Sequence, residues 1–365
     1  MPRFPRFRTR PLVAALLVLT LPLLAQSSPE PAKDDPSMLP SEKMPRASQS
    51  LLLDIVQTTA GMVAVGERGH VLSSNDGRTW NQLSTNTRST LTTVASADGQ
   101  LWAAGHDGVI VHSTDGGQTW RRQRAAPWTP DANDPDQGVP ILDLLFTDSS
   151  NGIAIGAYSL MLVTHDSGVT WTRQTVNVPV AAAPAKPADT TYDESGLLNT
   201  DELELGEESD PHLNAIARTG SGALVIVGER GTFLRSRDNG VTWQKASFPY
   251  QGSMFGVLAW DGEHILAYGL RGNAYESDDL GTTWRKLDTQ VNASLMGGEA
   301  LPNGGAVLVG ATGVVLTRKD AGSPFVASTY QNAAGETPVL AGVLAQSDGS
   351  TVLIGEKGAD RYQPK

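Results

Sequence analysis

Carboxylates return along this chain at a nearly fixed place. Asn75 or an aspartate (Asp115, Asp166, Asp238, Asp279) stands before a Gly and, a few residues on, before Trp80, Trp120, Trp171, Trp243 or Trp284. The phrases read SSNDGRTW, STDGGQTW, THDSGVTW, SRDNGVTW and SDDLGTTW, and a worn copy, RKDAGSPF, ends on Phe325. Repeated carboxylates could bind calcium or act as glycosidic acids. One carboxylate per separated turn, however, builds neither a cation cage nor a catalytic pair. The pattern S/T-x-D-x-G-x-T-W is instead that of an Asp-box turn. Its carboxylate and hydroxyl accept hydrogen bonds from turn amides that no strand partner satisfies. The Gly takes the left-handed conformation and the Trp packs between neighbouring sheets. In the first copy Asn75 takes the place of the aspartate, as a turn acceptor of similar shape.

A second set of residues offers the opposite charge. Upstream of each box an apolar run ends in a G-x-x-G turn, starting at Gly66, Gly105, Gly228, Gly269, Gly310 and Gly355, with a variant, GAYS, at Gly156. The third position is Arg68, Arg230, Arg271 and Lys357 in four units, and Asp107, Tyr158 and Thr312 in the others. Arginine suits bidentate binding of carboxylates and is enriched at binding hot spots. The competing reading is turn solvation, or pairing between blades with Glu67, Glu229 or Glu356.

These residues need a frame that repeats. Each unit parses as four short strands, as in the second: Leu91–Ala95, Leu101–Ala104, Val109–Ser113 and Thr119–Gln123. Four strands at a period of roughly 40 residues predict the blades of a propeller. Residues 50–365 are expected to form a seven-bladed all-β propeller of four-stranded antiparallel blades. The seventh unit has only three strands, and an open edge invites aggregation. The segment 26–49, within Met38–Ser48, is therefore expected to supply a ring-closing strand. Strand alternation places the G-x-x-G turns on the face that carries the connections between blades, bringing the four cations together there. The Asp boxes fall on the opposite face.

Three segments stand outside the repeat. Residues 1–25, with Arg3, Arg6, Arg8 and Arg10 before an apolar run and Ala25, read as a cleaved Sec-type signal peptide. The protein is therefore expected in the periplasm or secreted. An insert at 127–140 holds Asp131, Asp134 and Asp136, which loosely resemble a calcium loop but match no standard spacing. A second insert, 177–211, is strongly acidic. The chain has no Cys, which excludes thiol chemistry and cysteine metal sites. Its formal charge of −11, with no basic face in composition, argues against nucleic acid. No metal or cofactor is expected, and the protein reads as a monomer, peripheral to a membrane at most.

The G-x-x-G units and Asp boxes behind an export signal resemble the photosystem II stability/assembly-factor propellers of cyanobacteria and plastids, and their bacterial relatives. The resemblance covers about residues 50–365. It implies a non-enzymatic factor that helps assemble a membrane protein complex, lumenal in a photosynthetic host, with a basic patch that binds the partner. By position, Arg68, Arg230 and Arg271 would carry that role. The acidic insert and the bacterial type of signal depart from the family, so a transporter or another membrane complex fits as partner equally well. The Asp box also occurs in sialidases, and the three arginines could imitate their triad. No Phe-Arg-Ile-Pro segment and no well-placed Tyr–Glu pair accompany them. A carbohydrate-binding module would use exposed aromatics. Trp102 and Trp260 are expected in strands, which leaves Trp128.

Overall fold

The computed structural model describes residues 32–130, 134–175 and 210–363. The signal-peptide reading, Asp131 and most of the acidic insert lie outside the described residues.

Seven antiparallel sheets follow one another along the chain, six of four strands and the last of three. The seven-bladed propeller is therefore present as expected. Inner strands such as Leu52–Thr58, Leu91–Ala97 and Ile141–Phe146 line the axis. Each inner strand is bulged near its start, as where the register shifts between Leu52 and Asp54. A bulge lets consecutive residues face the same side, which later matters for the channel.

The seven hydrophobic cores lie between blades, and the boxes explain how. Trp120 of blade 2 packs with Val63 and Val65 of blade 1, and Trp243 of blade 4 packs with Ile153 and Ile155 of blade 3. Trp284 lies edge-on to Phe233 of the preceding blade at 5.2 Å. The box Gly allows that approach, since a Cβ on Gly281 would come within 2.3 Å of Phe233. Each tryptophan thus joins its own blade to the one before it.

The box hydrogen bonds follow one scheme. In blade 2, Gly117 N donates to Ser113 Oγ at 2.9 Å, and Thr119 N and Oγ1 donate to the two oxygens of Asp115 at 2.9 and 2.6 Å. These bonds hold the Asp115 carboxyl at about 2, led by the Thr119 hydroxyl. The first blade requires a correction. Its acceptor is Asp76, not Asn75: Thr79 N donates to Asp76 Oδ1 at 2.7 Å, and Gly77 N to Ser74 Oγ at 2.9 Å. The turn here is one residue shorter between the Ser and the Gly, so alignment from the tryptophan selects the wrong neighbour. The worn sixth box keeps Asp320 as acceptor for Gly322 N, but a buried Arg318 stands where the hydroxyl belongs.

The ring closes at the N-terminal segment, but with a 3-10 turn in place of the expected strand. Ser41 N donates to Thr85 O and Met44 N to Gln82 Oε1, tying the segment along the outer edge of blade 1. Its Ala47–Gln49 turn then abuts the last strand of blade 7, where a Cβ on Gly358 would lie 1.9 Å from Ser48 O. Pro36, Pro40 and Pro45 have no N–H to give to a ladder, which accounts for the turn. Arg361 Nη1 adds a bond from blade 7 to Asp76 O in the first box at 2.6 Å.

Candidate functional site

The G-x-x-G turns lie beside the connections between blades. Glu67 N bonds Leu51 O, Ala126 N bonds Asp107 O, and Ser159 N bonds Pro211 O, where the two inserts meet the ring. The Asp-box turns lie beside the opposite hairpins, as where Ser167 N bonds Ser150 O. The face carrying variable loops is thus the one that carries the G-x-x-G residues.

On that face the third G-x-x-G residue is left-handed in six blades. Arg68, Asp107, Tyr158, Arg230, Arg271 and Thr312 have φ between 52 and 57°. A non-Gly residue pays about 1 kcal/mol for this conformation, and in return its side chain stands out from the ring. Lys357 differs, because Gly355 pairs with Gly358 and leaves a two-residue hairpin of Glu356 and Lys357. Arg68, Arg230, Arg271 and Lys357 are all exposed. They do not form the single cluster expected. In ring order they make two neighbouring pairs, blades 7 and 1 and blades 4 and 5, separated by Asp107 and Tyr158 on one side and Thr312 on the other.

The proposed pairing with the adjacent glutamates is absent where it can be followed. Glu229 lies 3.7 Å from His212 Nδ1, and Glu356 accepts from Val339 N. Lys357 pairs with Glu336 at 3.4 Å. The Arg68 and Arg271 side chains have no ion pair or hydrogen bond among the described residues. A hollow of about 470 Å³ lies beside Arg271, lined by Lys286, Asp288 and Gln290. Another, of about 310 Å³, lies beside Lys357 and is lined by Tyr330, Asn332 and Pro338.

Among the described residues of the 127–140 insert, no cation cage forms. Asp136 is buried and ion-paired with Arg173 and, at 3.8 Å, with Arg124. Among the aromatics, Trp128 is 67% exposed. Trp102 is buried in its strand, stacked on Phe146. Trp260 corrects the expectation: it follows the strand Met254–Ala259, in the hairpin turn, stacked on His264 and bonded to Leu301 O.

The axis carries groups that sequence reading missed. The third residue of each inner strand is Asp54, Thr93, Asp143, Ala215, Gly256, Gly297 and Gly342, which all line a channel of about 240 Å³. Asp54 Oδ1 accepts from Ile55 N at 2.8 Å and Oδ2 from Val94 N of the next blade at 2.7 Å. Asp143 repeats this with Leu144 N at 2.7 Å and Ile216 N at 2.8 Å. Glu299 Oε2 accepts from Ala345 N in the same manner. Burial raises Asp54 to about 7, Asp143 to about 6 and Glu299 to about 6. The available signal was an Asp three residues into two inner strands, a position otherwise small or neutral.

The fold and this face can be set beside known proteins. The family profile described as the DUF6242 beta propeller domain matches residues 47–254, more than half of the chain. No curated protein sequence matches the chain. Among solved structures, YCF48 bound to D1 peptide is similar at 17% identity and a TM-score of 0.59, covering 90% of this chain and 98% of that one. YCF48 from Cyanidioschyzon merolae is similar at 15% identity and a TM-score of 0.59, covering 88% and 97%. The WD40 beta propeller domain of Doa1 follows at 12% identity and 0.58, covering 89% and 95%. At these identities the likeness is one of fold.

Proposed function

Because the chain belongs to the DUF6242 beta propeller family, we propose that it is an exported, non-enzymatic docking or assembly factor whose connection face binds a carboxylate-bearing segment of a membrane protein complex. The observation that carries this reading is the state of Arg68 and Arg271. Both guanidinium groups are exposed, held out by left-handed backbone, and without ion pair or hydrogen bond among the described residues. A guanidinium so placed can take a carboxylate bidentately without first breaking a pair to any described residue. The similar YCF48 structure holds a D1 peptide, which supports a peptide as the kind of ligand such a propeller takes. The signal-like residues 1–25 support a periplasmic or secreted setting.

The test is crosslinking and purification from membranes of the source cells, comparing wild type with an R68E/R230E/R271E variant. Wild type is expected to retain a membrane protein partner that the variant loses. Retention of the same partner by the variant would overturn the role of the cationic face. Release of sialic acid or another sugar by purified protein would overturn the non-enzymatic reading.

A further inference from the structure

The channel joins three polar side chains from different blades. Thr93 Oγ1 lies 3.2 Å from Asp54 Oδ2 and 3.1 Å from Asp143 Oδ1. A hydroxyl has one proton, so it serves one carboxylate at a time. A fourth group, Tyr268, comes from the second strand of blade 5 and reaches the axis over Gly256. A Cβ at Gly256 would lie 2.1 Å from the Tyr268 hydroxyl, so only Gly admits the ring there. Tyr268 is 5% exposed and lines the channel, and its Oη has no hydrogen-bond partner among the described residues. The Oη is not wholly enclosed, so it opens on the channel space, where a ligand can meet it.

The mouth on the connection face is of another character. Residues one step earlier in the inner strands form it: Leu53, Leu142, Phe255, Ala341 and Met296, the last 40% exposed, interrupted by Thr92 and Asn214. A mainly apolar collar therefore leads to two carboxylates and a phenol with no partner among the described residues. We infer that the channel is a binding site for a primary ammonium carried on an apolar stem, with Asp54, Asp143 and Tyr268 as its acceptors. Three N–H donors meet three acceptors, and the stem lies against the collar. An anion is opposed by the two carboxylates. A divalent cation fits poorly, because it needs about six or more oxygen ligands, and no group suited to a metal occurs among the described residues. The raised Asp54 and Asp143 carboxyls agree with this, since two desolvated neighbours lack a counter-cation.

The ammonium could come from a lysine side chain of a docked protein or from a free alkylamine. Titration calorimetry at pH 8 distinguishes them, using n-butylammonium, N-acetyl-lysine methylamide and, as neutral control, n-butanol. Saturable binding of an amine is expected, with at least about a tenfold loss in D143N. Tighter binding of the blocked lysine assigns the protein source; equal or tighter binding of butylammonium assigns the small molecule. D143N also loses a bond between blades, so Tyr268→Phe is the companion variant. It keeps both carboxylates and should weaken binding about threefold or more. Absence of saturable amine binding, equal binding of n-butanol, or Y268F binding as wild type would overturn the inference. The R68E/R230E/R271E variant should bind amines normally, so failure here and failure of the docking proposal are separable.

Discussion

Removing one member of the buried Glu276–Arg318 pair should cost far more than removing both. Glu276, in blade 5, is 3% exposed and Arg318, in blade 6, is 2% exposed. Arg318 Nη2 lies 2.7 Å from Glu276 Oε1, which His264 Nε2 also meets at 2.8 Å, while Arg285 bonds Oε2. Arg318 also donates to Gly304 O at 2.7 Å and lies over the rings of Trp260 and Phe325. Glu276→Leu leaves the guanidinium charged and buried without its carboxylate, an expected loss of about 3–5 kcal/mol. Arg318→Met leaves the carboxylate with His264 and the exposed Arg285 as its remaining partners, an expected loss of about 1–3 kcal/mol, and strips Gly304 O of its donor, adding about 1 kcal/mol. The double variant replaces charge by apolar volume and should lie within about 2 kcal/mol of wild type, with Gly304 O and the His264 ring as the groups left short of a partner. Urea unfolding followed by tryptophan fluorescence measures all four proteins, provided the slope stays constant. If the two single losses simply add within about 0.5 kcal/mol, the pair is not coupled and the reasoning fails.

Two further outcomes follow from the geometry. Asp76→Ala should lower the melting temperature while Asn75→Ala leaves it nearly unchanged, by differential scanning calorimetry; the reverse order would return the first box to Asn75. The channel and the boxes should respond oppositely to pH. Asp54 and Asp143 are raised to about 7 and about 6, so the folded state keeps protons that the unfolded chain releases. Their contribution is full below the unfolded value of about 4 and is lost as pH rises through about 7. Box carboxyls such as Asp115 and Asp238, lowered to about 2, contribute above the unfolded value and lose that contribution as pH falls toward 2. Urea midpoints at pH 5 and pH 8 should therefore fall more in wild type than in a D54N/D143N variant; parallel midpoints would contradict the assignment.

What the sequence by itself determined is whatever is local. Each box is a turn of a few residues, each blade strand a short apolar run between turn residues, and both repeat, so blade number and order could be counted. The separation of faces followed from strand alternation alone, and so did the exposure of Arg68, Arg230 and Arg271. Local pattern was less secure where one residue was missing: counting back from Trp80 lands on Asn75, whereas the hydrogen bonds are organised by Ser74 and select Asp76. The closing segment kept its place beside blade 7, but its prolines denied it a ladder.

Only the tertiary structure decided the features built between blades. Asp54, Thr93 and Asp143 stand far apart in the chain and meet because inner strands converge on one axis with the same bulge. Tyr268 reaches that axis from a second strand, through a space that Gly256 leaves empty. Glu276 and Arg318 read singly as surface charges, and become a buried pair only when blades 5 and 6 pack. Each of these depends on which side chains face a neighbouring sheet, a property of packing that no spacing within one repeat can encode.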